Sequence, residues 1–185
     1  MSGRFIFSST PIEGLYKLER KLIQDDRGFF TRIFCEDEFK DLDACFSVKQ
    51  INHSLTKKKG TVRGLHFHYP PVSEAKFVSC TKGKIFDVAI DLRINSPTFL
   101  KWHSEILTNN SALFIPAGFA HGFQTLTNNC ELLYSVSSPH TPDSEGAFSV
   151  LDPKLSINWP LEIENMSPRD EAHPFIDEEF KGIKI

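Results

Sequence analysis

Between Thr61 and Ser138 the chain reads as one short β-strand after another, divided by turns. "TVRGLHFH" (61–68), "AKFVSCTKG" (75–83), "KIFDVAIDLR" (84–93), "KWHSEILT" (101–108), "SALFIPAG" (111–118), "AHGFQTLT" (120–127) and "CELLYSVSS" (130–138) follow in close order. Each is rich in aromatic or β-branched residues, and "TNN" at 108–110 and 127–129 is turn chemistry. Many short strands at near-regular spacing predict an all-β sandwich or barrel. Upstream, "GFFTRIFC" (28–35) and "FSVKQINHSLT" (46–56) also read as strands, while "LYKLERKLI" (15–23) fits strand or helix. A short helix fits "EDEFKDLDA" (36–44), where Phe39 and Leu42 lie three apart, and Ser167 before Pro168 marks a second helix start.

A length of 185 residues favours one domain with a sizeable core, and no repeat or linker interrupts it. A net charge of -3 gives no general drive towards nucleic acid or an anionic membrane. The basic run Lys57–Lys59 reads as a solvated turn. The first residues lack the long apolar region of a signal peptide, and no run of 18 apolar residues predicts a transmembrane helix. Cys35, Cys45, Cys80 and Cys130 are scattered, with no CxxC, and read as reduced thiols; the cytoplasm is the expected location.

His66 and His68 share one face of a strand, because residues i and i+2 point the same way. One reading is a metal site. Gly60, His66, His68, Glu74 and Gly83 run in the order of a cupin metal motif, and "PAGFAHGF" (116–123) resembles the second such motif and supplies His121. Three imidazoles and a carboxylate would suit a mid-to-late transition metal. A second reading is acid/base work without metal, drawing on His66, His121, Lys76, Tyr134, Asp87, Asp91 and Asp152. Histidine titrates near neutrality, a carboxylate fixes its tautomer, tyrosine delivers a proton and lysine stabilises an enolate oxygen. Arg27 and Arg63 each precede a glycine, which would let a guanidinium fork approach a phosphate closely.

Together the pieces "DDRGFF", "QINHS", "VRGLHFH", "AKFVSCTKGKIFDVAIDLRINSPTF", "IPAGFAHGFQTL", "LLYSVSSPHTPDSEG" and "LDPKLSINWP" resemble the dTDP-4-dehydrorhamnose 3,5-epimerase family of nucleotide-sugar epimerases, in the family's order. The resemblance covers roughly 20–165. It implies a cupin-type jelly-roll β-barrel forming a homodimer, and a substrate that is a nucleotide diphosphate linked to a 4-keto-6-deoxyhexose. No metal or other cofactor is implied. On this resemblance His66 is the proton-abstracting base, Asp152 its carboxylate partner, Tyr134 the acid on the opposite ring face, and Lys76 the group at the enolate oxygen. His121 stands close by, Arg27 and Arg63 hold the diphosphate, and Gln50 and Asn52 line the pocket.

The chain departs from the family at several positions. His68 stands where relatives usually carry Gln, Arg32 where they carry Glu, Ala75 where they often carry Gln or Gly, and Pro139 and His140 replace an aromatic pair. These changes leave room for another nucleotide, CDP for instance, and for inversion at one carbon only. A metal-dependent cupin oxygenase or isomerase using His66, His68, Glu74 and His121 is the rival reading, and a non-catalytic sugar-binding cupin a third. Arg63 lies three residues before His66, on the opposite face of an ideal strand, so sharing a pocket would require a bend near Gly64.

Overall fold

The computed structural model describes residues 3–40 and 46–185. Two antiparallel sheets face each other. One holds six strands in the order β1 (Phe5–Ser9), β2 (Tyr16–Arg20), β10 (Ser111–Ile115), β7 (Lys76–Lys82), β12 (Cys130–Val136) and β5 (Gln50–Thr56). The other holds five, in the order β13 (Glu145–Ala147), β6 (Val62–His68), β11 (Phe119–Thr125), β8 (Ile85–Asp91) and β9 (Trp102–Leu107). A separate hairpin pairs β3 (Ile23–Asp25) with β4 (Gly28–Phe30). From β5 onward sequential strands alternate between the sheets, apart from the β8–β9 hairpin, the arrangement of a cupin-type jelly roll, as expected.

Strand alternation explains the layering. On β7, Val78 and Cys80 face the space between the sheets, while Phe77 faces outward. On β8, Ile85 and Ala89 face inward and Val88 and Ile90 outward. Both outer faces are themselves covered. Phe39, Phe46, Phe77 and Phe114 form an aromatic cluster on the six-stranded sheet, with Phe39 and Phe77 edge-on at 4.8 Å. Phe148, Val150, Leu155, Ile176 and Ile183 fold the C-terminal segment over the five-stranded sheet. Heavily buried strands on both faces are why the central segments read as near-continuous apolar runs.

Three sequence expectations need adjusting. Phe5–Ser9 is a strand although too short a run to stand out, because β2 supplies its partner. The segment 28–35 keeps only Gly28–Phe30 as strand. The first helix is a single turn, α1 (Glu36–Phe39), and the rest of its expected span, with Cys45, lies outside the described residues. Cys35, Cys80 and Cys130 are free thiols. Ser167 does begin α2 (Pro168–Glu171), its hydroxyl accepting from the Asp170 N–H at 3.1 Å. Among the described residues no helix is long and apolar enough to cross a membrane.

Candidate active site

The apolar packing between the sheets stops short of one end, where the inward positions become polar. There a cavity of about 300 Å³ is lined by Gln50, Asn52, Arg63, His66, Lys76 and Tyr134, among others. Gln50 and Asn52 alternate inward along β5, with the Gln50 amide donating to the Asn52 side-chain carbonyl at 2.9 Å. Tyr134 sits opposite Asn52 on the neighbouring strand. His66 comes from the facing sheet, so imidazole and phenol approach the cavity from two sides.

A β-bulge brings Arg63 into the same cavity. His66 pairs with His121, but Arg63 pairs with Phe123, so three residues of β6 span two of β11. The extra residue resets the alternation. Val62 and Leu65 pack outward while Arg63 and His66 both point in. Gly64 makes this possible: its φ is +137°, and a Cβ there would lie 2.6 Å from the Gly122 Cα. The bend required at Gly64 is present.

His66 Nε2 lies 2.8 Å from Asp170 Oδ1. The expected partner, Asp152, is elsewhere. It is buried and accepts from the backbone N–H groups of Lys154 and Ile176, tying the 149–156 turn to the C-terminal segment. Asp170 is the carboxylate at His66, because the Ser167 cap starts a helical turn that presents it to β6. Burial lowers the His66 pKa below the ordinary imidazole value, and the Asp170 carboxylate offsets only part of that. Burial, the largest influence, pushes Asp170 up, but His66, Ser167 and His173 together hold it below the ordinary carboxylate value. The pair is therefore a neutral imidazole against a carboxylate near pH 7. With Nε2–H donating to Asp170, the ring's lone pair sits on Nδ1. The His173 ring packs edge-on to His66 at 5.4 Å.

Lys76 is buried, and its ammonium donates to the His66 carbonyl at 3.3 Å and lies 3.5 Å from Glu74 Oε1. Burial lowers its pKa, with Glu74 the largest opposing influence. Glu74 also accepts from the Ser138 hydroxyl at 3.1 Å and approaches His68 Nδ1 at 3.3 Å. His121 Nε2 lies 3.0 Å from both Asp87 oxygens. Burial raises the pKa of Tyr134 far above that of an ordinary phenol, so it stays protonated and able to donate.

The metal set expected of a cupin is not assembled. His121 is hydrogen-bonded to Asp87, and His68 Nδ1 lies 3.3 Å from Glu74 with neither ring nitrogen making a hydrogen bond. Among the described residues, the metal-competent grouping is instead His66, Asp170 and His173. Asp91 is structural, accepting from Arg93, Ser96 and Thr98. Arg32 is consumed by Glu38 at 2.5 Å and takes no part in the cavity. Arg27 lies on the exposed β3–β4 hairpin, paired with Asp25 and outside the cavity of its own chain. Arg169 lines the cavity beside Glu145. Neither Arg169 nor Asp170 was singled out from sequence. The signal was the Ser167–Pro168 helix start, which places both in the first turn.

A jelly roll whose open end gathers a His–Asp pair, a half-buried protonated phenol and a buried ammonium defines an acid/base enzyme acting on carbon. Residues 9–178 match the family model described as dTDP-4-dehydrorhamnose 3,5-epimerase. The chain is 37% identical to the dTDP-4-dehydrorhamnose 3,5-epimerase of Sinorhizobium fredii, over 97% of this chain and 95% of that one. It is 35% identical to a dTDP-4-dehydrorhamnose 3-epimerase of Streptomyces niveus, over 86% and 78%. Its fold matches the dTDP-6-deoxy-D-glucose-3,5-epimerase of Legionella pneumophila, solved in complex with dTDP-4-keto-L-rhamnose, with TM-score 0.90, 35% identity and coverage of 98% and 99%. The chain belongs to the dTDP-4-dehydrorhamnose 3,5-epimerase family.

Proposed function

We propose that this protein inverts C3 and C5 of a dTDP-linked 4-keto-6-deoxyhexose by proton abstraction and return, in deoxysugar biosynthesis. The observation that carries the reading is the 2.8 Å pair of His66 and Asp170 facing Tyr134 across the cavity. The C4 ketone acidifies both neighbouring carbons. His66 Nδ1 takes the proton, and the imidazolium is stabilised by Asp170. Charge moves onto the C4 oxygen, where the Lys76 ammonium stabilises the enolate. Tyr134 then donates its proton to the same carbon from the other side, which inverts the centre. No electron is transferred, so the chemistry needs no redox carrier.

Arg63 binds the diphosphate, with Gln50 and Asn52 lining the pocket. Arg169, although on the same wall, is already neutralised by Glu145. Arg27 reaches a diphosphate only if the hairpin crosses to a second copy. Exposed Phe29 and Phe30 on that hairpin, and exposed Ile51 and Leu55 on the edge strand β5, support a homodimer. Similarity extends to both two-carbon and one-carbon epimerases. Incubation with dTDP-, CDP- and GDP-linked 4-keto-6-deoxyglucose, with product configuration read by NMR, tests the reading. Inversion at both carbons of the dTDP sugar is expected; turnover of the CDP sugar alone would overturn the nucleotide, and inversion only at C3 would overturn the second centre.

A further inference from the structure

We propose that His66, Asp170 and His173 form an inhibitory site for a zinc-class divalent ion. Their candidate ligand atoms all lie within 4.8 Å of one another. His66 Nε2 is 2.8 Å from Asp170 Oδ1, and His173 Nδ1 is 3.9 Å from the same oxygen. Tetrahedral zinc with bonds of about 2.0–2.2 Å sets its ligand atoms about 3.4 Å apart, within the spread of those two separations. Two imidazoles and one carboxylate select zinc, cobalt or nickel over magnesium or calcium.

The surroundings admit a cation. Two of the surrounding positive groups are already paired, Lys76 with Glu74 and Arg169 with Glu145. Asp170 is held by the Ser167 cap, which fixes its direction. His173 Nδ1–H donates to the Gly64 carbonyl at 3.4 Å, a long bond; when Nδ1 takes a metal, that ring proton moves to Nε2, so no proton is lost. The His66 side chain is 39% exposed, which gives the ion a way in from the cavity. The fourth position is left to water.

The chemistry of inhibition follows from the tautomer. An ion at Nε2 replaces the proton now shared with Asp170. That proton moves to Nδ1, so no proton is lost overall, but the lone pair that serves as base is gone. The ion thus locks His66 in the wrong tautomer while leaving the fold intact. The inhibitory half of this proposal rests on His66 being the base; the binding half does not. His173 does not line the cavity, but its ring packs on His66, so its loss removes a ligand and inhibition in each variant is read against that variant's own metal-free rate.

Calorimetric titration of the full chain with zinc chloride, repeated on His173→Ala and His173→Asn, tests the site. Solvent deuterium exchange into a 4-keto sugar is followed in parallel. One ion per chain is expected, with binding weakened at least about tenfold in both variants, comparable to losing a supporting partner of a metal ligand. Zinc should suppress exchange in the parent, and the concentration needed should rise by the same factor in both variants, each read against its own metal-free rate. Absence of stoichiometric binding, or equal affinity in parent and variants, would overturn the proposal. If binding shifts as expected but the metal-free parent exchanges no sugar proton, the ion site stands and the epimerase reading falls.

Discussion

As the proposed base, His66 has to be neutral, and its surroundings set two opposing influences on that state. Burial favours the uncharged ring, while Asp170 favours the imidazolium that forms on proton abstraction. Activity should therefore rise with pH through a limb lying below the ordinary imidazole value, and be flat near neutrality. Asp170→Asn removes the stabilising charge, so the His66 pKa falls further and the limb moves to lower pH. The same change should cost roughly 10²- to 10⁴-fold in kcat, since it disturbs the tautomer of the base. A pH series of kcat/KM on both proteins measures this. Asp152→Asn provides the contrast. It weakens the anchoring of the Ile176 N–H and should lower the unfolding midpoint while leaving the pH limb in place. His66 was legible in the sequence because an imidazole on a strand beside its matching motifs is chemically distinctive. Its partner was not, since a carboxylate's role depends on which way its loop turns, and Asp152 and Asp170 both follow the barrel.

Strand β6 carries the specificity of the fold at the scale of an element. The bulge at Gly64 turns an alternating strand into one that offers Arg63 and His66 to the same cavity. Gly64→Ala should destabilise the protein by about 2–5 kcal/mol, from a positive φ and a Cβ with no room against Gly122. Chemical denaturation reads that loss directly. Alternation by itself placed Arg63 outside the site; only the two glycines, Gly64 and Gly122, hinted at a close approach between β6 and β11. The neighbouring segment holds Lys76 through Glu74. With Glu74→Gln, Lys76 loses the largest influence opposing its burial, and its pKa drops further. Because the ammonium form stabilises the enolate, the fall in activity at high pH should begin at lower pH than in the parent. An unmoved alkaline limb would remove Glu74 from that role.

Across the whole molecule, the succession of strands from 61 to 138 was readable because alternation and turn chemistry are local properties. The pairing order of the sheets was not, since strand β10 lies between β2 and β7 through contacts far apart in sequence. Arg27 shows the same limit at a larger scale: a motif next to a glycine predicted a phosphate ligand, yet within one chain it projects into solvent with 89% of its side chain exposed. The proposed homodimer would resolve this by carrying Arg27 on its hairpin to the second copy. Sedimentation should give a dimer, and replacing Phe29 and Phe30 with Ser should yield monomers that lose affinity for the nucleotide sugar. The central claim, that His66 exchanges protons beside the C4 ketone, is tested most directly in deuterated water. The parent should place deuterium at C3 and C5 of the dTDP-linked 4-keto-6-deoxyhexose, and His66→Ala should slow that incorporation by about 100- to 10,000-fold. Equal incorporation by parent and variant would contradict the account.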